Sequence, residues 1–162
     1  EGIWCNDRCG LSLSSWQKVN TILADTDKPL YELEMKVRDY ECDLQQIVNN
    51  AVYQNYFEHT RHEFLRRLDI DFLTLHQRGV DLVVVRAEID YHWPLHSGDW
   101  FVVTLDVEKN SPIRFIFRQT IFLLTKRRRI VTGLFHIASV SEGRPVVVSE
   151  VARVLSNASN ML

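Results

Sequence analysis

Apolar and polar residues alternate over residues 31–38, and this pattern predicts the first structural element of the chain. The charged residues share one face, and the other face carries Tyr31, Leu33, Met35 and Val37. A period of two residues is typical of a strand with one buried face. We therefore predict a half-buried β-strand here, followed by a polar stretch over residues 39–46.

The period then lengthens to about four residues, which predicts a long amphipathic helix over residues 50–68. The side chains that recur on its buried face are Val52, Tyr56, Thr60, Phe64 and Leu68. Asn49 directly precedes the helix, where its side-chain oxygen can accept a hydrogen bond from a first-turn amide, so we predict it as the N-cap. A shorter helix is predicted over residues 70–77, ending at Gly79.

The chain after Gly79 has no helical periodicity and is typical of β-strands, which we predict over residues 80–91, 100–109, 112–125, 130–140 and 146–151. A ferredoxin-type sandwich would need a second long helix. We therefore predict an α+β fold in which a curved antiparallel sheet wraps around the long helix. The domain is expected over residues 30–155, after an N-terminal arm (1–29, with a short helix over 11–23) and before a frayed tail (156–162).

Composition and charge argue against several classes of function. A net charge of -2 disfavours nucleic-acid binding through bulk charge. No apolar run reaches the roughly 18–20 residues that span a bilayer. The 3 cysteines are too few for a disulfide framework, and Cys5 and Cys9 lack a second pair of metal ligands at finger spacing. We therefore predict an intracellular protein that has no metal site, nucleic-acid partner or membrane span.

Asp43 carries the first candidate chemistry, because it lies a few residues ahead of the long helix. The first-turn amides of a helix have no intrahelical partner and carry its positive dipole end. The amide of Asn50 can therefore bind the oxygen of a polarised carbonyl. A carboxylate just upstream can reach the same carbonyl carbon, or a water beside it. An Asp in such a loop is, however, commonly only a solvated turn residue.

The run from Asp43 to Arg61 resembles the signature of hot-dog-fold thioesterases, the 4-hydroxybenzoyl-CoA thioesterase-like superfamily. The matching positions are Asp43, Val48, Asn50, Tyr53, Tyr56, Phe57, Glu58 and Arg61. Residues 37–41, 48–53 and 61–65 resemble more closely the plant acyl-lipid thioesterases, which hydrolyse acyl-acyl carrier protein. The resemblance implies a hot-dog fold and hydrolysis of fatty acyl thioesters, with 3-oxoacyl groups among the candidate substrates.

The resemblance also implies roles for individual residues. Asp43 would be the catalytic carboxylate, either as general base or as nucleophile, and the backbone amide of Asn50 would bind the oxyanion. Contacts with the substrate are expected from Gln46, Asn49, Tyr53, Arg127 and Arg128. Gln46 departs from the family pattern, which has Gly there. The family further implies that no cofactor is needed. It implies a homodimer or homotetramer with the site at the dimer interface. It also implies a location in the chloroplast, or otherwise in the cytoplasm.

Three other readings remain open at the level of sequence. The basic turn over residues 126–129 is either solvated or docks an acidic carrier protein or the phosphates of coenzyme A. Cys42 is either a buried thiol or a nucleophile paired with a histidine. The alternative functions are an acyl-CoA thioesterase of the same mechanism, a non-catalytic acyl-binding protein, and a dehydratase, which typically requires a histidine in the site.

Overall fold

The alternating segment forms strand β1 (Tyr31–Lys36) in the computed structural model, which describes residues 29–159. A 3-10 turn (Asp39–Glu41) leads into the polar loop. Helix α1 (Asn50–Arg67) and helix α2 (Phe72–Gln77) follow, and both confirm the helices predicted from periodicity. The predicted N-terminal arm and its short helix lie outside the described residues, apart from Pro29.

The remaining elements are β2 (Asp81–Tyr91), β3 (Trp100–Ser111), β4 (Arg114–Leu123), β5 (Arg128–Ser141), β6 (Arg144–Pro145) and α3 (Ser149–Ser159). The strands form one antiparallel sheet with the order β1-β3-β4-β5-β2, and β6 pairs with β5. The sheet is curled, and together with the long helix it confirms the predicted α+β hot-dog fold.

Helix α1 packs its apolar stripe against the sheet through aromatic side chains. The ring centroids of Tyr56 and Phe101 are 4.6 Å apart, and those of Phe57 and Phe135 are 5.2 Å apart. Gly133 on β5 makes this approach possible, since a Cβ there would lie 3.1 Å from a ring carbon of Phe57 and 2.5 Å from one of Phe135. The absence of a side chain at this position therefore sets how closely the helix and sheet pack.

The core also contains a charged side chain. Arg61 on α1 is buried, donates to Oε1 of Gln119 at 2.8 Å, and holds its guanidinium carbon 4.3 Å from the ring centroid of Phe135. Gln119 in turn donates to the carbonyl oxygen of Phe57 at 3.0 Å. Burial lowers the pKa of Arg61 to about 10, so the group stays protonated at neutral pH.

The prediction for the C-terminal segment is wrong. The sequence predicts a strand over residues 146–151, but only Arg144–Pro145 pairs in the sheet, and α3 begins at Ser149. A run of valines favours a strand locally, yet Val151 and Leu155, one helical turn apart, are buried in the core, so tertiary packing overrides that preference. The sequence predicts a frayed tail from residue 156, but the helix continues to Ser159, and residues 160–162 lie outside the described range. Among the residues described, no helix has the length and apolar character needed to cross a bilayer.

Candidate functional site

The loop that carries Asp43 is closed by local hydrogen bonds. Cys42 and Val48 form an antiparallel bridge, and the amide of Asp43 donates to the carbonyl oxygen of Ile47 at 2.9 Å. The amide of Gln46 donates to the carbonyl oxygen of Asp43, also at 2.9 Å. These contacts return the chain to the start of α1 within a few residues and hold Asp43 beside it.

Gln46 adopts a φ of 62°, in the left-handed region that favours glycine. This explains why a glycine would suit the position and also shows that the turn forms without one. The side chain of Gln46 is exposed and does not line the cavity described below. The expected contact of this side chain with the substrate therefore has no support from the geometry.

The Asp43 side chain is half-buried, and its two oxygens differ. Oδ1 accepts a hydrogen bond from the amide of Gln45 at 2.8 Å, which fixes the orientation of the carboxylate. Within residues 29–159, Oδ2 accepts no hydrogen bond. One oxygen thus anchors the group, and the other is available to a water molecule or a substrate.

The first turn of α1 lies beside this carboxylate. Oδ1 of Asn49 accepts from the amide of Ala51 at 3.0 Å, which confirms Asn49 as the N-cap. Its carbonyl oxygen accepts from the amide of Val52 at 2.9 Å. The amide of Asn50, the first residue of the helix, has no hydrogen-bond partner among the described residues and lies at the positive end of the helix.

A buried carboxylate, which the sequence analysis did not identify, links the Asp43 loop to α1. Oε2 of Glu41 accepts from the hydroxyl of Tyr56 and from the amide of Arg38, both at 2.7 Å. The carbonyl oxygen of Glu41 accepts from the amide of Asn49 at 3.0 Å. Burial and the bond to Glu41 raise the pKa of the Tyr56 phenol. The sequence offered one clue to this contact: an acidic residue, Glu41, precedes a helix that carries Tyr56 on its buried face.

Tyr53 connects α1 to the segment after β2. Its hydroxyl accepts from the amide of Leu95 at 3.0 Å, and the carbonyl oxygen of Leu95 accepts from the amide of Val48. Burial raises the pKa of Tyr53 to about 12, so the phenol remains protonated. The Tyr91 hydroxyl donates to the carbonyl oxygen of Asn50 at 3.1 Å, which adds a second aromatic side chain beside the helix start.

A cavity of about 310 Å³ opens at this point. Its walls combine Asp43 and the first turn of α1 with three aromatic side chains, and they are formed by Asp43, Gln45, Ile47, Val48, Asn50, Tyr53, Tyr91, Trp93 and Pro94. The structure therefore brings together the predicted residues Asp43, Asn50 and Tyr53. Tyr91 and Trp93 were missed, although an aromatic residue before proline at a strand end was a usable signal.

The other predicted residues lie elsewhere. Asn49 and Gln46 flank the cavity in sequence but do not line it, and Arg127 and Arg128 line two separate cavities. No histidine lines the Asp43 cavity, which disfavours dehydratase chemistry. Burial raises the pKa of the Cys42 thiol, which disfavours a thiolate nucleophile.

Comparison with known proteins gives a family match over the same region. The model of a family described as the thioesterase superfamily matches residues 45–129, just over half of the chain. Among curated proteins, the chloroplastic acyl-acyl carrier protein thioesterases ATL3 and ATL2 of Arabidopsis thaliana are each 41% identical to the chain over 101 residues. That match covers 62% of this chain and 53% of ATL3, so the chain spans about half the length of these plant relatives.

Two bacterial proteins extend the comparison. The long-chain acyl-CoA thioesterase FadM of Escherichia coli is 31% identical over 93 residues, which are 57% of this chain and 69% of that protein. The crystal structure of a hypothetical protein from Aquifex aeolicus superposes with a TM-score of 0.72 and 30% identity. It covers 77% of this chain and 98% of the Aquifex chain.

Proposed function

The chain belongs to the thioesterase superfamily, and we propose on that premise that it hydrolyses fatty acyl thioesters carried on a pantetheine arm. The observation that carries the proposal is the cavity that Asp43 shares with the start of α1. A carboxylate with one uncommitted oxygen and a helix amide without a partner supply the two groups that thioester hydrolysis requires.

In the proposed reaction, Asp43 acts as general base. Oδ2 takes a proton from a water molecule whose oxygen attacks the thioester carbonyl carbon. The carbonyl oxygen becomes an oxyanion, which the amide of Asn50 and the helix dipole stabilise. The intermediate then collapses, the carbon–sulfur bond breaks, and the leaving thiolate receives the proton from Asp43.

The same geometry also supports Asp43 as nucleophile. Its carboxylate oxygen would attack the carbonyl carbon, expel the thiolate and form an acyl anhydride, which water then hydrolyses. Incorporation of ¹⁸O tests the nucleophilic route. In a single turnover in labelled water, label in Asp43 would show that water attacked the aspartyl carbonyl of an anhydride, whereas the general-base route places the label only in the fatty acid.

The aromatic walls support an acyl substrate. Tyr53, Tyr91 and Trp93 line the cavity with apolar ring surface, and the hydroxyl oxygen of Tyr53 accepts a hydrogen bond from the amide of Leu95. We propose acyl carrier protein as the carrier because the plant relatives are named for it. Coenzyme A is the alternative, since the Escherichia coli relative is named for acyl-CoA.

We further propose that the protein is a homodimer formed along strand β2. This strand pairs with β5 on one side, and within the described residues it has no partner on the other. Val84 and Val85 on it are 48% and 53% exposed. An open edge with exposed valines favours pairing with a second copy. Light scattering tests this: Val84→Lys should lower the measured mass to that of a monomer, and an unchanged mass would reject this interface.

The plant relatives also support a location in the chloroplast, since both names carry that designation. Imaging of the natural full-length protein with a fluorescent protein at its C terminus tests the location. Fluorescence confined to the cytosol would reject it.

The decisive experiment for the proposed activity measures release of free thiol from an acyl chain-length series on both carriers. Asp43→Asn keeps the acceptor for the Gln45 amide but removes the base, so turnover should fall by about 100-fold or more. Asp69→Asn, the same substitution just after the opposite end of α1, is the matched control and should retain full turnover. Equal turnover of the native protein and Asp43→Asn would show that another residue is the base, and no turnover of any substrate would reject the thioesterase.

A further inference from the structure

A second cavity adjoins the Asp43 cavity and has the opposite chemical character. It has a volume of about 370 Å³ and is lined by Trp93, Pro94, His96, Asp99, Leu123, Lys126, Arg128 and Ile130. Trp93 and Pro94 also line the Asp43 cavity, so this one segment separates the two. Any ligand that occupied both cavities would cross it.

The separating segment is held in place from the β5 side. The amides of His92 and Trp93 donate to the carbonyl oxygen of Ile130 at 2.8 and 3.1 Å. Above it, the guanidinium carbon of Arg128 lies 4.4 Å from the ring centroid of Trp93. Stacking of this kind keeps an arginine in a defined position while its N–H groups remain free to bind an anion.

The cations of this second cavity are not neutralised. Among the described residues, neither Lys126 nor Arg128 forms an ion pair. Asp99 is the one carboxylate in the lining, and it already accepts from the amide of His96 at 2.9 Å, with the His96 ring nitrogen 3.8 Å away. The cavity therefore presents net positive charge.

The neighbouring arginines of the same turn lie in a different setting. Arg127 and Arg129 line a cavity that also contains Glu32, Glu34 and Asp106. Those carboxylates would repel an anion. Of the four cations in this turn, Lys126 and Arg128 therefore line the cavity next to Trp93 and Pro94, whereas Arg127 and Arg129 line the cavity that contains the carboxylates.

We propose that the cavity of Lys126 and Arg128 binds the phosphate of the pantetheine arm that delivers the acyl group. The identity of this ligand rests on the proposed function. A phosphopantetheine arm carries its thioester at one end and its phosphate at the other, and it is uncharged between them. A thioester in the Asp43 cavity and a phosphate on Arg128 would place the uncharged part of the arm across Trp93 and Pro94. Coenzyme A and acyl carrier protein share this chemistry, and the assignment of Arg127 to the same contact is not supported.

The test compares three substrates with the same acyl group: acyl-acyl carrier protein, acyl-CoA and acyl-pantetheine, which lacks phosphate. Arg128→Gln should raise KM about ten-fold or more for the phosphorylated substrates and leave kcat unchanged, because the contact is equal in ground and transition states. Kinetics on acyl-pantetheine should not change. Arg129→Gln is the matched control and should leave all three substrates unaffected. A larger effect on one carrier identifies the source of the phosphate.

Direct binding separates this inference from the proposed activity. Calorimetry should show that 4′-phosphopantetheine binds the native protein more tightly than pantetheine, and that Arg128→Gln removes the difference. That result would support the phosphate site even if the protein hydrolysed no thioester. Equal binding of both compounds, or an equal rise in KM for acyl-pantetheine, would overturn the assignment while leaving Asp43 chemistry intact.

Discussion

The first turn of α1 and its middle differ in what each part of the helix contributes. At the first turn, the amide of Asn50 has no hydrogen-bond partner among residues 29–159, and Asn50 lines a cavity together with Asp43. In the middle, Phe57 is fully buried and Arg61 is bonded to a buried glutamine. One helix thus provides the proposed reactive end and a structural centre, and changes at the two places should have separable effects on turnover and on stability.

The largest expected effect on stability comes from the structural centre. Phe57→Ala removes a ring packed against Phe135 and should lower the free energy of unfolding by about 3–5 kcal/mol, through lost burial and the cavity left behind. Asp43→Asn, at the reactive end, should leave it unchanged within about 0.5 kcal/mol. Urea denaturation of both variants measures this. A comparable loss in Asp43→Asn would mean that the two regions are not separable.

The polar part of the centre should show a smaller, coupled effect. Gln119→Leu removes the acceptor of Arg61 and should cost about 2–3 kcal/mol, because a buried guanidinium N–H then lacks a partner. In the double variant Arg61→Met, Gln119→Leu the buried guanidinium is absent and no N–H at this contact lacks a partner, so part of the loss should be recovered. Denaturation of the native protein, both single variants and the double variant gives the coupling. Simple additivity of the two losses would contradict the contact.

A still smaller effect is expected at the reactive end from Gln46→Gly. Glycine removes the strain of the left-handed φ of 62°, which should stabilise the fold by about 1 kcal/mol. It also raises the entropy of the unfolded chain, which should destabilise the fold by about the same free energy. Turnover should stay within about two-fold of the native value, because the Gln46 side chain does not line the cavity. Steady-state kinetics check this, and a ten-fold loss would show that the side chain itself takes part in the reaction.

The smallest effect concerns pH. Burial lowers the pKa of His62, on the second half of α1, and of His92 below the usual 6.5, so the folded protein favours their neutral forms. Protonation therefore favours the unfolded chain. The stability that the two neutral histidines contribute is fully present above about pH 6.5, and it is lost as the pH falls through their lower pKa values in the folded state. Thermal unfolding between pH 7.5 and 5.5 should show a shallower decline for the double variant His62→Gln, His92→Gln than for the exposed control His59→Gln. Identical declines would contradict this.

The pattern of residues predicted the elements better where each one had a single clear period. The strand before the loop, α1 with its Asn49 cap and strands β2 to β5 followed from the sequence pattern. The valine run at residues 146–148 misled, because β-branched residues favour strands only where a partner strand is available. Here Val151 and Leu155 bury against the core as a helix instead.

By itself the sequence determined the local facts about the candidate site: Asp43 lies just before a capped helix, and Asn50 begins its first turn. These follow from interactions between residues close together in the chain, such as side-chain capping and turn closure. Only the tertiary structure decided that Tyr91 and Trp93 complete the cavity, that Glu41 braces the loop through Tyr56, and that Arg128 rather than Arg127 lies over Trp93. Those contacts join segments far apart in sequence, and their geometry depends on how the sheet curls and pairs, which no local pattern specifies.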